Sequence, residues 1–148
     1  MLIDSQNQFS AAQAVTSTGS TPSSNIIDLG VARDIGGAVT NPLALLCEVV
    51  TPFASGGSAT LAVQFQTAPD NGSGAPGSWV TLAQSDAIPV ASLVRGYRFL
   101  PGGIPGPTQR FVRLNYIVGT AAMTAGALTA GFVPALEVTT SYARGYVA

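Results

Sequence analysis

The sequence predicts an all-β domain, folded as an antiparallel β-sandwich, on three observations. From Asn25 onward the chain consists of short runs rich in β-branched and aromatic residues, separated by Gly and Pro clusters. In residues 60–67 apolar and polar side chains alternate with the period of two that marks a half-buried strand. The chain has 148 residues, which suits one domain with one core. At that size roughly 68–70% of the unfolded surface is buried on folding. Short strands joined by long connections suggest a jelly-roll or Greek-key sandwich.

The first 24 residues are mainly Ser, Thr, Ala and Gln, with apolar points at Leu2, Ile3, Phe9 and Val15. They read as an extended N-terminal arm, residues 1–24, ahead of a sandwich domain, residues 25–148. A segment this polar could lie along a neighbouring subunit and order on contact, or it could be a terminal strand tied to its own sheet. Residues 5–15 have the Ala and Gln for one or two helical turns capped by Ser5, although the stretch is short. On the arm reading, deleting residues 1–24 weakens attachment to a partner more than it weakens folding.

Seven or eight strands are expected beyond the arm. Residues 25–29 come first, followed by a turn region with Gly30, Gly36 and Gly37. Residues 43–51 lie between Pro42 and Pro52, with Leu45, Cys47 and Val49 on one face and Leu46 and Val50 on the other, so both faces should be covered. Residues 60–67 place Leu61, Val63 and Phe65 on one face opposite Thr60, Ala62, Gln64 and Gln66, which predicts burial on one side only. Residues 69–77 are turn chemistry throughout, since Gly and Asn tolerate positive φ and Pro fixes φ near −65°. Further strands are expected at 78–83, 93–100, 109–118 and 125–133. In 109–118, Val112, Leu114 and Tyr116 form a core face, and Phe111, Arg113 and Asn115 a second face available to a neighbour.

The chain has no histidine, no lysine, one cysteine and two glutamates. Histidine titrates nearest neutrality and is the commonest metal ligand, while lysine supplies Schiff bases and phosphate contacts. Their joint absence argues against an enzyme and for a protein that acts by binding and packing, with no cofactor or metal. Only 9% of residues are charged, against about 25% in a typical domain, and mean hydropathy is +0.38. A surface so poor in charge is expected to be covered in an assembly. Six cations, all arginine, and a pI near 5.0 make a nucleic-acid partner improbable. No apolar run approaches the ~18 residues of a membrane helix, so no membrane partner is expected. The N-terminus resembles no secretory signal, so cytoplasmic synthesis is the simple reading. Cys47, inside an apolar run, reads as a small buried hydrophobe.

Several motifs are decoys. Gly126 and Gly131 have the spacing of a phosphate loop, but Phe132 follows where the loop's Lys belongs. Asn71, Gly72 and Ser73 match a glycosylation sequon but read as a turn. Asp28, Asp34, Glu48 and Glu137 show no spacing that pairs two carboxylates for glycoside hydrolysis. Arg33 with Asp34 suggests an internal ion pair or, alternatively, a cation for a partner. On the second reading Arg33, Arg110 and Arg113 present planar guanidinium forks to carboxylates, a role arginine fills better than lysine at desolvated interfaces. Trp79, the only tryptophan, is expected in the core.

Certain segments carry a resemblance. Met1-Leu2-Ile3-Asp4, Gln6 to Ser10, Gln13-Ala14-Val15-Thr16, Asn25-Ile26-Ile27-Asp28-Leu29-Gly30 and Arg33-Asp34-Ile35-Gly36 resemble the capsid cement proteins of short-tailed bacteriophages of the Bordetella-phage type. Gly57 to Gln64, Gln109 to Tyr116 and Thr124 to Gly131 follow in the expected order, while residues 134–148 depart from it. The resemblance implies a jelly-roll decoration protein of the virion, made in the host cytoplasm and bound to the capsid exterior. Its partners would be the major capsid protein and a second copy of itself. The candidate partner-interface residues are Phe9, Arg33, Arg110, Phe111 and Arg113. A host-surface or glycan-binding module, and a low-copy tail or head-completion subunit, are the alternatives, since fold does not fix function.

Overall fold

In the computed structural model the described residues are 3–33, 35, 43–100 and 103–134. They form two facing antiparallel sheets. The strands are β1 (Gln8–Ala14), β2 (Gly19–Pro22), β3 (Ile27–Asp28), β4 (Leu43–Ala54), β5 (Thr60–Ala68), β6 (Val80–Gln84), β7 (Ile88–Pro89), β8 (Phe111–Gly119) and β9 (Ala125–Pro134). The smaller sheet has the order β1-β9-β4, and the larger β2-β8-β5-β6, with β3 on β8 and β7 on β5. β2 and β3 lie end to end along one edge of β8, against 115–118 and 111–112. β6 and β7 likewise share one edge of β5. The larger sheet therefore has four lateral positions.

The expected strand at 93–100 is absent, and its place is taken by an irregular run along the free edge of β4. A 3₁₀ turn, Val90–Ser92, leads into it. Gly96 at φ +88 breaks the extended backbone. Contact with β4 continues through Val49 N to Tyr97 O, Gly96 N to Val49 O and Phe99 N to Cys47 O, each 2.9 Å. An isolated bridge joins Glu48 to Arg98, and another joins Ala44 to Gly103. With this run as a fourth position, both sheets are four positions wide, and the chain crosses between them after β1, β3, β4, β7, the 93–100 run and β8.

Residues 8–22 are not an arm. β1 pairs with β9 in one sheet and β2 with β8 in the other, so the terminal-strand alternative is the one the molecule adopts. The helix expected from Ser5 is a single 3₁₀ turn, Ser5–Asn7, with Asp4 rather than Ser5 accepting from Gln6 N at 3.1 Å. Side chains tie the segment down further. Ser23 N donates to Leu114 O, and Leu114 N to Ser23 Oγ. Asn25 N donates to Phe9 O, and Asn25 Nδ2 to Gln8 O.

The core between the sheets contains Phe9, Leu45, Cys47, Val49, Leu61, Val63, Phe65, Val112, Leu114, Tyr116, Leu128 and Phe132, all buried. Phe9, Phe65 and Phe132 meet edge to face with centroids 5.0–6.4 Å apart, the arrangement the ring quadrupole favours. Burial pushes the Cys47 thiol pKa up, as expected of a residue used for packing. β4 is covered on both faces as its pattern predicts, because Ala44, Leu46 and Val133 form a second apolar cluster under Ile3.

The spaced glycines of β9 have packing roles. A Cβ on Gly126, at φ +137, would fall 2.0 Å from the Phe53 ring, and one on Gly131 would fall 2.8 Å from Asn7 O. The sequon stretch is a turn, with Gly72 at φ +90 and Asn71 Oδ1 accepting from Ser73 N at 2.9 Å.

Candidate partner interface

The five sequence-chosen residues do not converge on one surface. Phe9 is fully buried and belongs to the core, so it is not an interface residue; a lone aromatic in a polar stretch marked a strand rather than an anchor for a neighbour. Arg110 is also committed within the chain. Its Nε and Nη2 bind Asp28 Oδ1 and Oδ2 at 2.9 and 2.8 Å, and Nη1 binds Asp70. Its guanidinium lies 4.9 Å from the Phe111 ring centroid. The hydrogen bonds from Arg110, then from Gly30 N, lower the Asp28 carboxyl pKa to about 2. Asp70 is lowered chiefly by the backbone donors Gly72 and Gly74, with Arg110 adding to them. This clamp joins β3, the start of β8 and the 69–77 loop. Phe111, only 4% exposed, is largely covered.

Arg33 is exposed, and its backbone bridges Thr108, whose N donates to Arg33 O at 3.3 Å. Asp34, the proposed partner of Arg33, lies outside the described residues, as do Gly36, Gly37, Glu137 and the C-terminal residues 135–148. Glu48 bonds Arg98 at 2.9 Å.

Arg113 remains on the outer face of the larger sheet, and Trp79 is there too rather than in the core. The guanidinium stacks on the Trp79 ring, 4.1 Å from its centroid, and Nε donates to Gln66 Oε1 at 2.9 Å. Burial lowers the Arg113 pKa. From Gln66 a chain of amides runs across the sheet. Gln66 Nε2 donates to Gln64 Oε1 at 2.9 Å and to Thr81 Oγ1 at 3.2 Å. Asn115 Nδ2 also donates to Gln64 Oε1, at 3.0 Å, and Gln64 Nε2 donates to Gln84 Oε1 at 2.7 Å. Ser20 Oγ closes the far end on Asn115 Oδ1 at 2.7 Å.

This network overturns the expectation that β5 is buried on one side only. Ala62 and Gln66 on its outer face are buried as well, Ala62 opposite Ile117 and Gln66 among its hydrogen-bond partners Arg113, Gln64 and Thr81. The network itself was missed. Its signal was present as polar residues at alternate positions, Gln64 and Gln66 in one strand and Arg113 and Asn115 in another. What the sequence did not supply was that β5 and β8 are adjacent, with Gln66 opposite Arg113 and Gln64 opposite Asn115.

The described surface also has two shallow clefts. One, of about 330 Å³, lies beside Gln84, Asp86, Ile88, Tyr97, Arg98 and Phe99. The other, about 300 Å³, adjoins the Arg110 clamp at Val31, Pro69 and Gln109. Among the described residues no group of three His, Cys, Asp or Glu side chains is placed to hold a metal, and no helix is long and apolar enough to cross a membrane.

Fold and surface together define a small antiparallel β-sandwich whose larger sheet turns outward a hydrogen-bonded face with few charges. The chain belongs to the Bbp16 family, whose model matches residues 9–132, from β1 through most of β9. The family name points to a Bordetella phage protein. No curated protein matches the chain.

Proposed function

We propose that this phage-family protein is a capsid cement protein, a structural component that binds the outer surface of the head and bridges neighbouring coat subunits. The observation that carries the reading is the family match across the whole sandwich, together with the ordered segments that resemble phage cement proteins. The strand arrangement supports it. With end-to-end strands counted as one position and the 93–100 run as another, the smaller sheet has chain order 1-8-3-6 and the larger 2-7-4-5. We read that order as a jelly-roll, an architecture common in viral capsid domains.

The action is linkage. A protein that binds the assembled shell and not its separated subunits stabilises the shell by mass action. A homodimer touching two coat subunits gains further, because its second contact forms at high effective concentration. Neither step needs a cofactor, a nucleic acid or a membrane. The protein would be made in the host cytoplasm and end on the capsid exterior.

The test is to mix purified protein with undecorated heads, pellet the heads, count bound copies, and heat decorated and bare heads side by side. Saturable binding at hundreds of copies with delayed rupture is the expected result. A dozen copies or fewer would indicate a tail or portal-vertex component. Absence of binding would reject the shell reading, and glycan-array binding competed by free sugar would then favour receptor recognition.

A further inference from the structure

Arg113 is a half-buried cation that lacks a carboxylate partner among the described residues. Asp28 and Asp70 are held by Arg110, and Glu48 by Arg98. Its Nε is used by Gln66, while its two terminal nitrogens, four N–H donors in one plane, have no acceptor among the described residues.

The surrounding amides cannot turn to supply one. Gln66 Oε1 already faces Arg113 Nε, which directs the Gln66 amide nitrogen to Gln64 Oε1 and Thr81. Gln64 Oε1 takes a second donor from Asn115, so its nitrogen points on to Gln84. Flipping any one amide would set donor against donor or acceptor against acceptor along the chain. Trp79 closes one side of the guanidinium and holds it flat. The face thus presents donors in surplus at one fixed, planar point.

We propose that this point binds a carboxylate side chain of a protein partner through a two-pronged contact with Arg113, Trp79 serving as the backing plane. Assigning that carboxylate to an Asp or Glu on the coat surface rests on the cement-protein reading; the chemistry of the site does not. The geometry matches because a carboxylate offers two acceptors in the plane of the fork. Charge argues against a nucleic-acid backbone, whose repeated phosphates call for several cations. Of the other described arginines, Arg110 is neutralised by Asp28 and Asp70, and Arg98 is paired with Glu48.

Trp79 is the only tryptophan, so its emission reports on the site directly. Titrating the full-length protein with a short glutamate-rich peptide should give a saturable emission change that weakens as salt is raised. The glutamine counterpart of that peptide should give none. R113Q should abolish the response, and R113K, which keeps the charge but loses the fork, should weaken it about tenfold. In the head-pelleting assay R113Q should bind about tenfold more weakly or worse, with its melting temperature within a few degrees of wild type.

The outcomes separate the two claims. Heads decorated equally by wild type and R113Q, with no peptide response, overturn the carboxylate site and leave the cement reading standing. A peptide response lost in R113Q, from a protein that does not bind heads, overturns the cement reading and leaves the site. A response that survives in R113Q, or a stronger one to a single-stranded oligonucleotide, overturns the carboxylate assignment. Unfolding of both R113Q and R113K would make the role internal and overturn it as well.

Discussion

The inner face of β8 is closed to water and its outer face is partly covered, by different physics. Inward, Val112, Leu114, Tyr116 and Val118 pack against the apolar side chains of the facing sheet. Outward, Arg113 and Asn115 lie within a chain of side-chain hydrogen bonds that begins at Arg113, stacked on Trp79, and ends at Ser20. Apolar packing is non-directional and answers mainly to volume. The amide chain answers to direction, because each group must offer a donor where its neighbour offers an acceptor. The inner face therefore holds the domain together, while the outer face fixes where donors and acceptors stand toward a partner.

The strongest challenge to that division is deletion of residues 1–24. The arm reading has this truncation folding normally but attaching poorly. With β1 in one sheet, β2 in the other and Phe9 in the core, the truncated chain should instead fail to fold, which circular dichroism and loss of a cooperative melt would reveal. A folded truncation would show that the inner face does not need its first two strands. Next in size is Phe9→Ala, which removes one ring from the Phe9, Phe65, Phe132 cluster. Urea unfolding should show a loss of about 3–5 kcal/mol.

Tyr116→Phe has a smaller expected effect, and it tests a polar intrusion into the inner face. Ser10 Oγ gives its proton to Gln13 Oε1 at 2.7 Å, so the Tyr116 hydroxyl, 2.7 Å away, is the donor to Ser10. Burial raises the phenol pKa and keeps it protonated. Removing the hydroxyl leaves Ser10 with its other bond, so the expected cost in urea unfolding is about 1 kcal/mol. A cost several times larger would mean that the core, too, is organised by a directional network.

These same residues show what could be read in advance. The inner strands were legible because Leu45, Cys47 and Val49, and Val112, Leu114 and Tyr116, alternate with the period of a strand in runs of high β-propensity. β1 and β2 were not, being made, apart from Phe9 and Pro22, of Ser, Ala, Gln, Gly and Thr. They are strands because β9 and β8 offer edges, and the buried Ser10 is tolerated because Tyr116, 106 residues away, satisfies it. The run at 93–100 erred in the other direction, since its aromatic and aliphatic content hid the effect of one glycine, Gly96. Arg110 looked available to a partner because Asp28 and Asp70, which occupy its fork, lie 82 and 40 residues away. Local pattern thus disclosed burial, and long-range pairing decided which polar groups were left to present outward.

The smallest effect concerns the end of the outer face, where Asp28 lies opposite Phe111 and the Arg110 fork covers the Phe111 ring. The Asp28 carboxyl is lowered from 3.8 to about 2 by Arg110 and Gly30 N. A carboxyl with a depressed folded-state pKa contributes stability that is full above the unfolded value, and that stability is lost as pH falls through the folded value. The melting temperature should therefore hold steady down to about pH 4 and decline toward pH 2. Because the clamp is partly exposed the decline should be modest, and high salt should weaken the clamp's contribution. Asp28→Asn should flatten the acid limb while leaving the Trp79 response of the Arg113 site intact, because the clamp touches the end of β8 and the amide chain begins beyond it. If Asp28→Asn also removed that response, the outer face would behave as one coupled unit from the 69–77 loop to Ser20, and the partner's carboxylate would then sense the acid titration of the clamp.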